Sequence, residues 1–354
     1  MDLSTTYLGL KLKSPLMPGA SPLVDDLDMV KRLEDAGASA IVMHSLFEEQ
    51  IVREQVATYQ NTESHAQSFA EAMSFFPPSD AFALGPEDYL EHIVRIKKAV
   101  SVPVIASLNG HTPGGWLRYA RDIQSAGADA LELNIYALPS DPEVTGDSIE
   151  HRAVEAVAAV REVVSIPLAV KLSPFYTSLP HFARRLERAG ADGIVIFNRF
   201  YQSDIDPEEL EVRRVLGLSH PSELLLRLNW LAVLSPVLRG SLAVTGGVHT
   251  AHDALRAIMA GAHAVQMTSA LLTHGPARLA EVGRDLSEWL EKHEYPSLAA
   301  ARGCMSLAYC PEPEAFLRAN YMLILQSYRG GATPDPPLPV PPPGDPNGPS
   351  GSRA

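Results

Sequence analysis

A short phrase recurs four times along the chain and constrains its fold more than any other feature. Each copy reads X-Ala-Gly-Ala, ends an amphipathic helix-like stretch and is followed almost at once by an apolar run. Glycine readily takes the left-handed conformation that ends a helix, and small alanines let the chain turn closely into a buried strand. The phrase therefore predicts a repeated unit of helix, glycine cap and buried strand, which is typical of a parallel β/α architecture. The copies occupy residues 35–38, 125–128, 188–191 and 259–262.

Eight apolar runs alternate with eight helical patterns between residues 15 and 292. Most of the runs are continuously apolar, which suits strands covered on both faces. The alternation predicts a (β/α)8 TIM barrel, and no G-x-G-x-x-G motif opens a helix to favour a dinucleotide-binding sheet. The predicted strands are residues 15–19, 40–45, 102–109, 130–135, 168–173, 193–198, 242–246 and 264–269. The predicted helices are residues 27–36, 86–99, 115–126, 148–163, 179–189, 223–238, 251–260 and 277–292.

The domain organisation follows from these patterns. Residues 1–328 are predicted to form the barrel, and residues 46–85 form a long loop insertion after the second strand. In a barrel this connection lies over the mouth, so a lid or a partner surface is expected there. Residues 329–354 are rich in proline and are predicted to be a disordered tail, with a ligand for a proline-binding partner as the alternative.

Composition limits the classes of function. The formal net charge of −13 argues against a general nucleic-acid surface. No apolar run reaches the roughly 20 residues that cross a bilayer, and no signal-peptide pattern is visible, so a cytoplasmic protein without membrane contact is expected. Cys304 and Cys310 are predicted to be free thiols rather than a metal or iron–sulfur site.

Two predicted strand ends carry residues suited to an anion. Gly246 and Gly247 lie at the end of the seventh strand, and their backbone N–H groups can approach an anion closely. The helix start that comes next adds its positive dipole. Thr268 and Ser269 follow the eighth strand and supply hydroxyl groups. These four residues predict a phosphate site at the mouth of the barrel, where barrel chemistry takes place.

Polar residues also end four other strands. Lys171 lies in the apolar fifth strand, where a buried cation needs an anion and can stabilise negative charge on a reduced ring or an enolate. Asn109, Asn134 and Asn198 end the third, fourth and sixth strands. Their amides offer donors and acceptors to a planar heterocycle, with a capping or turn role as the alternative for each.

With these residues in place, the chain resembles the dihydroorotate dehydrogenase family of FMN-dependent barrels over about residues 3–325. The matching segments are residues 8–17, 131–134, 170–174 and 189–198, and residues 245–248 with 253–255. The resemblance implies FMN as cofactor, with Lys171 on the N1/O2 side of its ring and the phosphate at Gly246, Gly247, Thr268 and Ser269. It also implies that Ala20, Ser21, Ser45 and Asn134 line the flavin, and that Asn134, Asn198 and Asn109 contact the substrate.

The substrate half of the site departs from the family pattern. Ala137 occupies the position of the family's Cys or Ser base, and alanine cannot take a proton. Pro139 replaces a substrate-binding Asn, and His44 replaces a Lys. A further Asn of the family has no match in residues 75–80. His44, Tyr136 and Ser140 are the candidate replacement bases; histidine exchanges protons most readily near neutral pH.

The resemblance implies a flavin-dependent dehydrogenase acting on a CH–CH bond. By analogy it passes a hydride from dihydroorotate, or from a related planar substrate, to flavin N5 in pyrimidine biosynthesis. A homodimer is expected, and a redox partner protein is one of several electron acceptors that remain open. One alternative is a non-catalytic or electron-transfer flavin-binding subunit. Another is a flavin-free phosphate-binding barrel that acts as an isomerase or synthase.

Overall fold

The computed structural model describes residues 1–48, 50, 85–110, 113–199, 203–213, 216–316 and 321–327. The chain divides into two compact units, Met1–Pro313 and Glu314–Ala354. In the second unit the described residues include a helix, Tyr321–Ser327. Most of the predicted insertion and the whole predicted tail lie outside the described residues, so both stay predictions. Within the described ranges, no helix is long and apolar enough to span a bilayer.

Eight parallel strands form the barrel in the first unit, and this confirms the predicted fold. Two short strands, β1 (Thr5–Tyr7) and β2 (Leu10–Leu12), come first and pair as an antiparallel hairpin. The barrel strands follow as β3 (Leu16–Pro18), β4 (Ile41–Phe47), β5 (Val104–Gly110), β6 (Ala130–Ile135), β7 (Leu168–Leu172), β8 (Gly193–Ile196), β11 (Ser241–Thr245) and β12 (Ala264–Met267). A second hairpin, β9 (Asp204–Asp206) with β10 (Glu211–Arg213), interrupts this series.

The strands pair in the order β3-β12-β11-β8-β7-β6-β5-β4. The two ends of this order meet where the Ser39 N–H donates to the Leu16 carbonyl oxygen at 3.0 Å, just before β4. The β1–β2 hairpin lies at the amino-terminal end of the strands, where the Leu8 N–H donates to Ser241 Oγ at 3.0 Å. The hairpin therefore covers that end of the barrel, and the carboxyl ends of the strands remain for the site.

Helices alternate with the barrel strands along the chain at the predicted places, and further short helices occur as well. They are α1 (Leu27–Asp35), α2 (Pro86–Ala99), α3 (Pro113–Ser125), α4 (Gly146–Val163), α5 (Leu179–Arg188), α6 (Leu224–Leu234), α7 (Ala251–Ala260), α8 (Ser269–His274), α9 (Ala277–Lys292), α10 (Leu298–Ala301) and α11 (Tyr321–Ser327). The sequence patterns did not predict the two hairpins or the short helices α8, α10 and α11. These elements are three to seven residues long, too short to establish a clear hydrophobic period.

Side chains alternate across each strand, so residues two apart occupy successive layers of the barrel interior. The lower layer is apolar and packs on the hairpin; its members are Met17, Val42, Ile105, Ala130, Ala169, Val195, Ala243 and Ala264. Two residues further along these strands stand polar groups that include Ser107, Glu132, Lys171 and Gln266, all of them buried. The barrel is therefore closed and apolar below and polar near the mouth.

The glycine of each X-Ala-Gly-Ala copy has the positive φ that the phrase predicted. The φ angles are +96° at Gly37, +95° at Gly127, +108° at Gly190 and +127° at Gly261. At Gly261 a Cβ atom would also lie 2.4 Å from Ser235 Cβ, whereas at Gly127 nothing lies within 4 Å of it. The cap at the end of α7 therefore needs glycine both for its backbone conformation and for close packing.

These two glycines make a matched pair for a stability test. We expect Gly127→Ala to lower the free energy of unfolding by about 1–2 kcal/mol, the cost of a left-handed alanine. Gly261→Ala is expected to lose roughly 1–3 kcal/mol more, because the new methyl group overpacks against Ser235. Urea unfolding of both variants measures the difference. Equal losses would show that the contact with Ser235 adds nothing to the backbone cost.

Candidate active site

A cavity of about 350 Å³ opens at the carboxyl ends of the barrel strands. It is lined by nearly all the residues that the sequence singled out, which come from eight different strand ends. These are Ala20, Ser21, His44, Ser45, Asn109, Asn134, Tyr136, Lys171, Asn198, Gly246, Thr268 and Ser269. Gly247 lies behind the lining, and Ser140 lies elsewhere. The fold therefore brings most of the candidates to one place.

Lys171 is held by a buried network in the barrel interior. Its Nζ donates to Glu132 Oε1 at 3.3 Å, and Gln266 Nε2 donates to Glu132 Oε2 at 2.7 Å. Glu132 and Gln266 are fully buried and Lys171 is 5% exposed. Since an unpaired buried charge is costly, Glu132 balances the lysine and Gln266 orients the carboxylate. These bonds fix the position of the Lys171 ammonium group at the floor of the cavity.

Two polar atoms beside the cavity have no partner within the described residues. They are Asn134 Oδ1 and Ser21 Oγ, and both are buried. An unsatisfied buried acceptor costs about 1–3 kcal/mol, so such atoms usually mark a place where another molecule donates. A planar heterocycle with ring N–H groups fits an amide oxygen in this position. Asn109 and Asn198 line other parts of the same wall.

Three hydroxyl side chains and one glycine form another part of the cavity lining, namely Ser219, Thr268, Ser269 and Gly246. Ser269 Oγ accepts hydrogen bonds from the Ser219 N–H at 2.9 Å and from Ser219 Oγ at 2.8 Å. Ser219 Oγ in turn accepts from the Gly247 N–H at 3.1 Å. Gly246 lines the cavity, with φ at +86°. The amide of Gly247 is thus used within the protein, and Gly246, Thr268 and Ser269 face the space.

The N–H groups at the start of α7, near these residues, already have a hydrogen-bond acceptor within the protein. The Asp253 carboxylate accepts hydrogen bonds from the His249 N–H at 3.1 Å and the Thr250 N–H at 3.0 Å. Burial lowers the pKa of His249, whose Nε2 lies 2.8 Å from the Ser219 carbonyl oxygen. The N–H groups at the start of α7 are therefore used within the protein, whereas Gly246, Thr268 and Ser269 line the cavity.

Among the candidate bases, His44 and Tyr136 line the cavity. His44 Nδ1 lies 3.4 Å from Asp25 Oδ2, and Asp25 Oδ1 is buried without a partner in the described residues. A carboxylate in this position orients the imidazole and leaves its other nitrogen for proton exchange. The pair was not visible in the sequence, because Asp25 and His44 lie on separate segments.

Ser140 and Ala137 lie in a second cavity of about 510 Å³. Tyr176 and Glu150 also line this space, and burial raises the pKa of Tyr176 to about 12. In this arrangement Ser140 is not in the cavity that contains Lys171. Its catalytic role stays a prediction.

Comparison with known proteins decides the family. The family model described as "Dihydroorotate dehydrogenase" matches residues 2–290. The chain belongs to the dihydroorotate dehydrogenase family. It is 28% identical over 309 residues to a protein of Methanosarcina mazei named "Dihydroorotate dehydrogenase B (NAD(+)), catalytic subunit", covering 85% of this chain and 94% of that protein.

Other relatives carry related names. A Thermoplasma acidophilum protein with that same name is 27% identical over 308 residues, or 84% of this chain and 96% of its own length. A protein of Aeropyrum pernix named "Putative dihydroorotate dehydrogenase A (fumarate)" is 27% identical over 316 residues, with 84% of this chain and 95% of that protein covered. The likeness therefore extends over most of each chain.

The structure adds residues to the candidate site that sequence reasoning missed. The cavity wall also contains Phe47, Phe197, Arg199, Leu216, Leu218, Ser219 and Leu272. Glu132 had a visible signal, since it is a carboxylate two residues before Asn134 in an apolar strand. Phe197 lies in a predicted strand, but its apolar character alone does not mark it as a lining residue. Leu216, Leu218 and Ser219 had no signal, because they lie outside the predicted strands and helices. Within the described residues, no group of three or more His, Cys, Asp or Glu side chains is placed to hold a metal ion.

Proposed function

We propose that this protein is an FMN-dependent oxidoreductase that oxidises a CH–CH bond of dihydroorotate, or of a related planar cyclic amide, in pyrimidine biosynthesis. The observation that carries the proposal is the content of one cavity. A hydroxyl- and glycine-lined end, a buried lysine and an unpartnered buried amide oxygen all line it. A phosphate, an isoalloxazine ring and a substrate amide need these three features in one place.

The residues present fit FMN. Gly246, Thr268 and Ser269 would hold the phosphate, and Ala20 and Ser45 would lie along the flavin. Lys171 would stand beside the ring, where a cation favours the negative charge that builds up on reduction. When bound, FMN supplies the acceptor for the substrate hydride. The lining leucines and Phe197 would exclude water from the ring.

His44 is the proposed base. It would remove the proton next to the bond that is oxidised, and Asp25 would hold its imidazole in position. This pair stands in for the family's Cys or Ser, which Ala137 replaces. Asn134 and Asn198 would hold the amide groups of the substrate through their side-chain donors and acceptors.

The names of the relatives also bear on partners. Those named as NAD(+)-dependent catalytic subunits suggest that this chain too passes electrons to a partner subunit. A homodimer and a cytoplasmic location are part of the same proposal.

The test is an absorption spectrum of the purified full chain, followed by anaerobic addition of dihydroorotate. Flavin bands near one per chain that bleach on addition are the expected result. Bands that persist would support a flavin-binding barrel but exclude dihydroorotate as its substrate. They would favour a related amide as substrate, or an electron-transfer role. No flavin, even after incubation with FMN, would overturn the proposal and leave a phosphate-binding barrel.

A further inference from the structure

Arg227 is a buried arginine with an unusual set of partners. It lies in α6 and is 5% exposed. Its Nε donates to the Thr245 carbonyl oxygen, and its Nη1 donates to the Glu223 carbonyl oxygen at 2.7 Å. In the part of the chain that the structure describes, it forms no ion pair with a carboxylate. Because a buried charge without a counter-charge is costly, the position of this arginine needs an explanation.

The bond to Thr245 determines the direction of the next amide. Thr245 is the last residue of β11, and Gly246 follows it at the cavity wall. A planar trans peptide directs its C=O and its N–H to opposite sides. With the Thr245 carbonyl held by Arg227, the Gly246 N–H points away from the arginine. No acceptor for this N–H is found among the described residues.

The guanidinium also occupies the space behind Gly246. A Cβ atom at this glycine would lie 2.7 Å from Arg227 Nη2. The positive charge therefore lies directly behind Gly246, which lines the cavity, although Arg227 itself does not line it. Burial lowers the pKa of Arg227, and an arginine in a protein nevertheless stays protonated.

We propose that Arg227 is a positioning residue for the phosphate group of the bound flavin nucleotide; this inference rests on the proposed function. Arg227 holds the Thr245 carbonyl from behind, so that the Gly246 N–H faces the phosphate. It also places a buried positive charge behind that peptide. The Glu223 carboxylate also acts on Arg227 electrostatically, but it is itself paired with Arg199 at 3.5 Å. The phosphate adds a second counter-charge.

The test compares two ligands that differ only in the phosphate. The full chain is freed of flavin and titrated with FMN and with riboflavin, and binding is followed by quenching of flavin fluorescence. We expect Arg227→Met to weaken FMN binding about tenfold or more, the usual effect of losing a charge-assisted contact, while riboflavin affinity changes less than about twofold.

A control removes an arginine with similar bonds at the other end of the barrel. Arg161 donates to the carbonyl oxygens of Val164 and Ile166, which precede β7. Arg161→Met is expected to leave both flavin affinities unchanged. A circular dichroism melt of each variant checks that it is folded.

The possible outcomes distinguish a failure of this inference from a failure of the proposed function. Equal weakening of FMN and riboflavin in Arg227→Met would mean that the arginine only supports the fold, and would overturn the inference. If Arg227→Met does not fold, Arg227→Lys keeps the charge but not both bonds; its ratio of FMN to riboflavin affinity is expected to fall several-fold, and an unchanged ratio overturns the inference. Wild-type protein that binds neither flavin would instead defeat the proposed function itself.

Discussion

Replacing Lys171 by methionine is expected to slow the reduction of bound flavin by dihydroorotate about 100- to 1,000-fold, the range for losing one preorganised electrostatic group. Lys171 is a buried cation that lines the cavity. In the proposed reaction it would stabilise the negative charge that builds up on the reduced ring. Anaerobic stopped-flow measurement of the flavin absorbance gives the rate directly. A variant that reduces its flavin at the wild-type rate would remove Lys171 from the reaction.

The same substitution is also expected to lower the free energy of unfolding, because it leaves Glu132 fully buried without its cation. Breaking a buried ion pair in this way costs about 3–5 kcal/mol. The double variant Lys171→Met/Glu132→Gln keeps the interior neutral and nearly the same in shape. We expect urea unfolding to show recovered stability in the double variant, while its reduction rate stays low. Recovery of the rate together with the stability would show that the lysine acts only on folding.

Replacing His44 by alanine is expected to slow the same reduction about 100-fold or more, the usual contribution of a positioned general base. The pH dependence of the reduction rate is expected to differ between the wild-type protein and the variant, because the variant lacks the proposed base. The measurement is the reduction rate as a function of pH under saturating dihydroorotate. Asp25→Asn is expected to have a smaller effect in the same direction, because it only loosens the orientation of the imidazole.

His181→Ala is the matched control, since His181 is an exposed histidine on α5 that does not line the cavity. It should leave both rate and pH profile unchanged. An unchanged profile in His44→Ala would dismiss the histidine and point to Tyr136, which lines the same cavity. Ser140 would then be the other candidate base, which requires its loop to move toward Lys171 when substrate binds.

The barrel could be predicted from residues that are close together in the chain, because caps and strands depend on local physics. A helix-ending glycine needs a positive φ, and all four glycines of the repeated phrase have one. Strands covered on both faces read as apolar runs, so their number and order could be counted. Because the active end of a barrel lies where parallel strands end, Lys171, Asn134 and Gly246 could also be placed at one mouth before any contact was known.

Which side chains meet could not be predicted, because it depends on the packing of segments that are distant in the chain. Glu132 and Gln266 lie 134 positions apart and are joined across the barrel interior. Arg227 reaches Gly246 from a neighbouring helix, and no local pattern encodes that contact. The loop after β6 places Ser140 away from the cavity, although its spacing from Asn134 allowed either position. Such pairings depend on how separate elements pack, whereas caps and strands depend on residues adjacent in the chain.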